Sequence, residues 1–571
     1  MRWYNIVILG FILAIISCGA KKELRTARIE LDGDTETTTK EKSDARGSRA
    51  DEITYLDSPV KMAESGLRAG YADDNKQYNY FLNFLSKYVS IAPHQDLDIS
   101  ERICFRLVDQ AGKSLPNAEV SVYDNDKIID IGKTYADGSF YFFPSMYNNN
   151  VEYYRVQYVC DGIANEQAVD RNGDRNYTLT PQLNRGEYTE AALDILFILD
   201  TTGSMGEEID RLKATLEIIH LNLTSISPKV KVRFGLVLYK DKGDDYVTKV
   251  TPLTDDVDSF IADLNLVKAD GGGDNPEDLQ AALKEAIDNI SWNPEAIRLA
   301  FIITDAPPHL DYGQSYTYID AAMDAKERGI KLFSVGSGGL NIDGEYILRQ
   351  ISQLTSARYI FLTYGEKGES DGGVAGSVSH HTGDNYQTDK LESIILQFAR
   401  EELSNIIDLP LEQDEEYFIA HKVENESSEQ TLESLFTQAL VQLDDYSCIK
   451  LDSAATLAIM PISIDSSSSE SNRKYFTEQL LISARRHNRF ALADRTELER
   501  IFEEWKLNLS GAISDSLTVK VGELTGAQLM LVGNMFDKQD QYELFLKLVR
   551  VETGELLSAT KLKIDYRLGL I

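Results

Sequence analysis

The spacing of apolar positions changes several times along the chain, and each change predicts a different element. After Arg2, residues 1–17 hold an apolar run from Ile6 to Ile16, too short to span a bilayer as a permanent helix, the pattern of a cleaved secretory leader. Residues 18–50 (from GAKKELRTARIELDGD onward) are polar, charged and nearly free of aromatics, so they bury too little apolar surface to fold and read as a tether. In residues 51–95 the positions Tyr80, Phe81, Phe84, Leu85 and Tyr88 recur at helical spacing and predict a helical lead-in. Residues 96–182 turn to short alternating runs, ICFRLVD, AEVSVYD, GSFYFF, YYRVQYV and NYTLT, broken by QAGKSLPN, ADG and RNGDRN, which predicts a β-sandwich.

Residues 190–405 alternate wholly apolar strands (LDILFILD, KVRFGLVLY, RLAFIITD, IKLFSVG, ARYIFLTY) with amphipathic helices. Strands buried on both faces and joined by helices mean a mostly parallel, doubly wound, Rossmann-like sheet, whose ligands sit at the carboxyl ends of the strands. Residues 406–445 form a charged connector ending in the helix TLESLFTQALVQL. Residues 446–571 are a smaller α/β unit with the helices RKYFTEQLLISARRHN and TELERIFEEWKLNL. The expected fold class is multidomain: a β-sandwich of immunoglobulin or prealbumin kind, a doubly wound α/β domain and a second α/β domain.

Charge narrows the partners. The 571 residues carry 58 basic against 92 acidic side chains, a formal −34, which repels phosphate backbones and argues against nucleic acid. Of the four cysteines, Cys18 follows Ile15-Ile16-Ser17 in a stretch that resembles the lipobox of bacterial lipoproteins, implying cleavage before Cys18 and its lipidation. That places the chain on a bacterial envelope membrane, outer rather than inner because Gly19 is not the retaining aspartate, with either face open. Cys104 and Cys160 end or sit in strand-like stretches of one region; a bridge between them would contribute about 4 kcal/mol on the chain-entropy model, and two buried free thiols are the alternative. With Cys448 they are too scattered to form a metal site.

The chemistry concentrates in FILDTTGSM, where Asp200, Thr202 and Ser204 occupy alternate positions on a loop leaving a buried strand. Alternate side chains of an extended loop face one way, so a carboxylate and two hydroxyls converge, as hard cations require. A second oxygen cluster follows in ADGGGDNPEDL, where Gly271, Gly272 and Gly273 permit a close backbone approach and Asp274 supplies a carboxylate. Asp305 in AFIITDAPPH again ends an apolar strand. The bland alternative for Asp200 or Thr202 is a helix cap. A nucleophilic Ser204 is weaker, because it lies in no G-x-S-x-G elbow and no histidine pattern supplies a base. Asp241, Asp244 and Asp245 read as a solvated turn, or else as ligands of a second cation or the rim of the ligand face.

These three loops, with RFGLVLYKDKGDDY, GGGDNPEDLQAAL and ITDAPPH, resemble von Willebrand factor A domains of the hemicentin-like branch and their metal-ion-dependent adhesion site. The resemblance implies that Asp200, Thr202, Ser204, Asp274 and Asp305 hold a divalent cation, Mg²⁺ first with Ca²⁺ or Mn²⁺ as alternatives. It further implies that the open coordination position accepts an acidic side chain of another protein. Threonine at 202 keeps the family's hydroxyl, whereas Asp274 replaces a commoner threonine and adds a charge. GKSLPNAEVSVYD with KTYADGSFYF resembles carboxypeptidase-regulatory-like modules, implying a spacer. ADRTELERIFEEWKLNLSG, VGELTGAQLMLVGNM and LVRVETGELLSA resemble the domain shared by curli-secretion and flagellar outer-membrane lipoproteins, implying envelope assembly and a homo-oligomer. No enzyme is expected; the competing readings are a metal-assisted hydrolase and an envelope scaffold with a non-functional metal site.

Overall fold

A computed structural model describes residues 68–147, 150–226, 229–273, 275–363, 387–407, 409, 418–422, 427–464, 470–494, 525–538 and 541–570. The leader, the tether, Cys18, Asp274 and the expected helix TELERIFEEWKLNL lie outside the described residues.

Eight strands form the largest sheet, in the order Thr248–Thr254, Val230–Tyr239, Ala191–Asp200, Ile297–Thr304, Ile330–Gly336, Tyr359–Thr363, Arg68–Ala72 and Gln387–Lys390. The five from Val230–Tyr239 to Tyr359–Thr363 run parallel, and antiparallel strands finish both sides. Every position from Leu193 to Asp200 is buried because helices cover both faces. Leu193, Ile195, Phe197 and Leu199 share a cluster with Leu212 and Leu216 of helix Gly206–Ile226 and Phe398 of helix Leu391–Ser404. Leu196 and Ile198 join Leu283 of helix Leu279–Asp288 and Ile347 of helix Ile342–Leu354 on the other face. Period-two alternation divides these residues between the faces, and each fully buried Leu, Ile or Phe stabilises by about 1.5–3 kcal/mol.

The segment expected to be a helical lead-in is helical only in part. Tyr78–Tyr88 is a helix that buries Tyr78, Phe81, Phe84 and Leu85, but Arg68–Ala72 is a strand seated between Tyr359–Thr363 and Gln387–Lys390. Two ion pairs hold it there, one half-buried and one buried: Arg358 Nε donates to Asp73 Oδ2 (2.8 Å) and Arg349 Nε to Asp74 Oδ2 (2.8 Å). Tyr71 meets Phe398 edge to face with ring centroids 5.0 Å apart.

In chain order, two smaller sheets come between that helix and the strand Ala191–Asp200. One orders Ser139–Phe142, Ile103–Leu107 and Asn176–Leu179; the other orders Lys127–Lys133, Glu119–Asp124, Tyr153–Cys160 and Ile163–Asp170. Phe105, Phe140 and Phe142 of the first share one apolar cluster with Val120, Val122, Tyr154 and Val156 of the second. The bridge entertained between Cys104 and Cys160 is absent, and both thiols are free. Alternation explains this: Ile103 and Phe105 point into the cluster, so Cys104 between them points away, whereas Cys160 belongs to the cluster. Burial pushes the Cys160 thiol up to about 11. The module docks on the large domain through a buried ion pair, Lys326 Nζ to Asp130 Oδ2 at 2.5 Å.

The last sheet runs Phe418–Ala420, Leu556–Asp565, Gln541–Arg550, Leu529–Asp537, Thr456–Ile459 and Ala491–Leu492, with Ser463–Ile464 also pairing Leu529–Asp537. Helices Ser428–Asp445 and Glu470–His487 share its core. The segment read as a connector thus contributes a strand and a helix to this unit, because Leu432, Leu435, Phe436, Ala439 and Leu443 form a stripe that the sheet covers. Asn79 ties the lead-in helix to it, donating to Asp444 Oδ1 (3.0 Å) and accepting from Leu451 N (2.8 Å). Among the described residues no helix is long and apolar enough to cross a membrane.

Candidate functional site

The strand Ala191–Asp200 lies between parallel neighbours, so its carboxyl end opens into the crevice where such sheets take ligands. The chain then makes a 3₁₀ turn, Gly203–Met205, before helix Gly206–Ile226. Thr202 precedes that turn but its side chain makes no capping bond. It turns back instead: Thr202 N (3.0 Å) and Oγ1 (2.7 Å) both donate to Asp200 Oδ1. Asp200 Oδ2 accepts from Thr304 Oγ1 at 2.8 Å, a contact between neighbouring strand ends. Thr202 Oγ1 lies 3.3 Å from Ser204 Oγ, which donates to Asp305 Oδ1 at 3.2 Å. Asp200, Thr202, Ser204 and Asp305 therefore form one unbroken series of oxygens. Asp200 is 0% exposed, Thr202 1% and Asp305 8%, while Ser204 faces solvent.

The second loop is fastened to the first by its backbone. Gly203 N donates to Gly271 O (3.1 Å) and Asp270 N to Thr201 O (3.2 Å). Gly271 and Gly272 have φ of 75° and 76°, and a Cβ on Gly271 would stand 2.3 Å from Asp244 Oδ1. Only glycine permits that approach, and Gly272 N uses it to donate to Asp244 Oδ1 at 3.1 Å. The acids expected in a solvated turn thus line the site's edge. Asp241 is buried and accepts from Tyr312 Oη at 2.6 Å, and only Asp245 is engaged outward, with Lys240.

Glu277 and Thr304 were not singled out by the sequence pattern, yet both belong here. Glu277 is 3% exposed, forms an isolated parallel bridge with Pro308, and its Oε2 has no hydrogen-bond partner. Thr304 was an inconspicuous strand residue, and its signal was only its place immediately before Asp305. For Glu277 the available signal is an acid placed four residues after Gly273, the last glycine of the glycine-rich loop.

The electrostatics are those of crowded carboxylates. Burial, then the negative charges of Asp200, Asp241, Asp244 and Asp305, pushes Glu277 up to about 9. Burial, then Asp200, pushes Asp305 to about 6, and burial also raises Asp200. The nearby buried ammonium of Lys240 is committed to Asp245 and Asp270. Among the described residues no lysine or arginine pairs with Asp200, Glu277 or Asp305. Nor do they include a group of three or more His, Cys, Asp or Glu side chains disposed to hold a metal ion. The oxygen series mixes two carboxylates with two hydroxyls, a donor set of the kind hard cations take, and a buried excess of negative charge with an orphaned carboxylate oxygen fits a cation. His309 is engaged by Asp311 (2.8 Å) and stands 3.5 Å from Asp241, away from Ser204's partners.

Two stretches of the chain match family models: residues 194–336 the von Willebrand factor A domain, and residues 429–563 the peptidoglycan-synthase activator LpoB. The chain therefore carries a von Willebrand factor A domain and an LpoB-like carboxyl-terminal domain. The second match is to LpoB where the sequence motifs resembled curli-secretion and flagellar lipoproteins. Human von Willebrand factor A domain-containing protein 7 is 36% identical over 143 residues, 24% of this chain and 14% of that protein. The alpha-protein kinase vwkA of Dictyostelium discoideum is 26% identical over 164 residues, 28% of this chain and 25% of the kinase. The chain thus spans a quarter or less of these relatives' lengths. Among solved structures, the LpoB carboxyl-terminal domain of Escherichia coli aligns with 16% identity and a TM-score of 0.20, over 24% of this chain and 96% of that one.

Proposed function

We propose that this chain is a non-catalytic bacterial cell-envelope protein that binds another protein through a divalent cation held by Asp200, Thr202, Ser204 and Asp305, with Asp274 completing the set. The observation that carries the reading is the unbroken oxygen series from Asp200 to Asp305, drawn from two loops and left without a counter-charge. A bound cation supplies an electrophilic open position for an oxygen of the partner. Asp200 is oriented for this by Thr304 and by both donors of Thr202, and Ser204 keeps the one solvent-facing hydroxyl. Mg²⁺ is the first candidate, because hydroxyl-rich sites retain its waters.

The LpoB likeness supports the envelope assignment and, as the partner proposed for the carboxyl-terminal unit, a peptidoglycan synthase. Lipidation at Cys18 would hold the chain on the outer membrane, with the two-sheet module as spacer. Titration calorimetry of the full chain in detergent is the test: wild type takes up Mg²⁺ and Asp200→Ala does not. Equal uptake by the two sinks the proposal. Light scattering of the same sample reads whether the carboxyl-terminal unit self-associates.

A further inference from the structure

We infer that Glu277 is a further carboxylate of the cation site, supplied by the loop between Gly273 and helix Leu279–Asp288; the inference rests on the adhesion-site reading. Its backbone is held on both sides by the segment that follows Asp305. Glu277 N donates to Pro307 O (3.0 Å), and its carbonyl accepts from His309 N (3.0 Å) as well as from Leu279 N (2.9 Å). The parallel bridge to Pro308 thus fixes the residue against the third loop, two to four residues beyond Asp305. From there the side chain reaches the first loop: an added Cβ on Gly272 would meet Thr202 Cβ at 3.1 Å and Glu277 Oε1 at 3.2 Å, so carboxylate and threonine flank the same point.

No structural duty accounts for this carboxylate. Capping of helix Leu279–Asp288 is done by Asp278, whose Oδ1 accepts from Ala281 N at 3.1 Å. No arginine or lysine among the described residues pairs with Glu277, and Oε2 is buried without a donor. Buried polar atoms are almost always satisfied, and a buried carboxylate oxygen lacking a donor is among the costliest exceptions. A cation between the loops satisfies it. Among the described residues Asp200, Glu277 and Asp305 are not already gathered into one ligand set, so Glu277 joins from the Thr202 side, where its Oε1 already lies, and adds an anionic oxygen to the series. More anionic oxygens shift the balance from Mg²⁺ toward Ca²⁺ or Mn²⁺.

Calorimetric titration of the full chain with MgCl₂, CaCl₂ and MnCl₂ tests this in three proteins: wild type, Glu277→Gln and Asp258→Asn. Asp258 lies in the first turn of helix Val257–Leu266 and removes one negative charge away from the loops. Expected is a loss of affinity of at least about tenfold in Glu277→Gln, beyond any loss in Asp258→Asn. A Glu277→Gln affinity equal to wild type, or reduced only as much as in Asp258→Asn, overturns the inference and leaves the adhesion site standing. Failure of wild type to bind any of the three cations overturns the adhesion-site reading itself, and Glu277's role with it. Should Glu277→Gln fail to fold by circular dichroism, Glu277→Asp, which keeps the charge and withdraws it by one methylene, carries the same comparison.

Discussion

Asp200, Thr202, Ser204 and Asp305 could be read from the sequence because each stands where a run of buried residues ends, and a carboxylate or hydroxyl there has nowhere to point but the crevice. Glu277 could not be read so easily. Beside Asp278 it passes for an ordinary acid ahead of a helix, and its burial is created by a bridge to Pro308, a contact that no local pattern encodes. Its ionisation gives a pH test. The folded value of about 9 stands above the ordinary 4.5, so the fold favours the protonated acid. That stability is fully present below about 4.5 and is lost as pH rises through about 9. Without divalent cation, the melting temperature of wild type relative to Glu277→Gln should therefore fall across that window. A pH-independent difference between the two would refute the assignment. Gly271→Ala should lose about 1–2 kcal/mol in urea titration, because a side chain at φ 75° is strained and its Cβ would press on Asp244.

At the scale of elements, the five parallel strands were legible because burial on both faces writes a continuous apolar run. The strand Arg68–Ala72 was not: RAGYA has no alternation, and its partners are the distant Tyr359–Thr363 and Gln387–Lys390. What holds it is the pair of arginines at its end. Arg349 is fully buried against Asp74 and Glu345, so Arg349→Leu takes the cation from the buried Asp74 carboxylate and should cost about 3–5 kcal/mol by urea midpoint. A loss under 1 kcal/mol would mean the strand is held by its backbone bonds alone. The strand Phe418–Ala420 escaped notice for a related reason, since three apolar residues among charges become a strand only through the edge of Leu556–Asp565. The same limit applies to the cysteines: proximity in sequence region said nothing of the two sheets that separate them. Thiol titration in denaturant should find Cys104, Cys160 and Cys448 all free.

For the whole molecule, the proposed reading gives the chain two protein-binding surfaces, one in each matched domain, and a cation at only one of them. On that reading chelation should release a partner captured from solubilised envelopes at the Asp200 loops while leaving a partner bound to the carboxyl-terminal unit. Loss of both partners together, or of neither, would contradict that division. The register of Arg68–Ala72 adds a mechanical consequence. Arg68 pairs with Thr363 and Ala72 with Tyr359, so the chain enters this strand at the rim of the sheet that also holds Asp200 and Asp305. Between Arg68–Ala72 and Ala191–Asp200 stand the strands Tyr359–Thr363, Ile330–Gly336 and Ile297–Thr304. On the proposed reading, with the chain anchored ahead of Arg68 and a partner held at the Asp200 loops, tension between the two would enter and leave the domain by one edge. Such a load peels adjacent strands apart one backbone bond at a time, starting at Arg68, instead of shearing them all at once, so the arginine clamps on Asp73 and Asp74, beyond Ala72 at the far end of the strand, are the last contacts to yield.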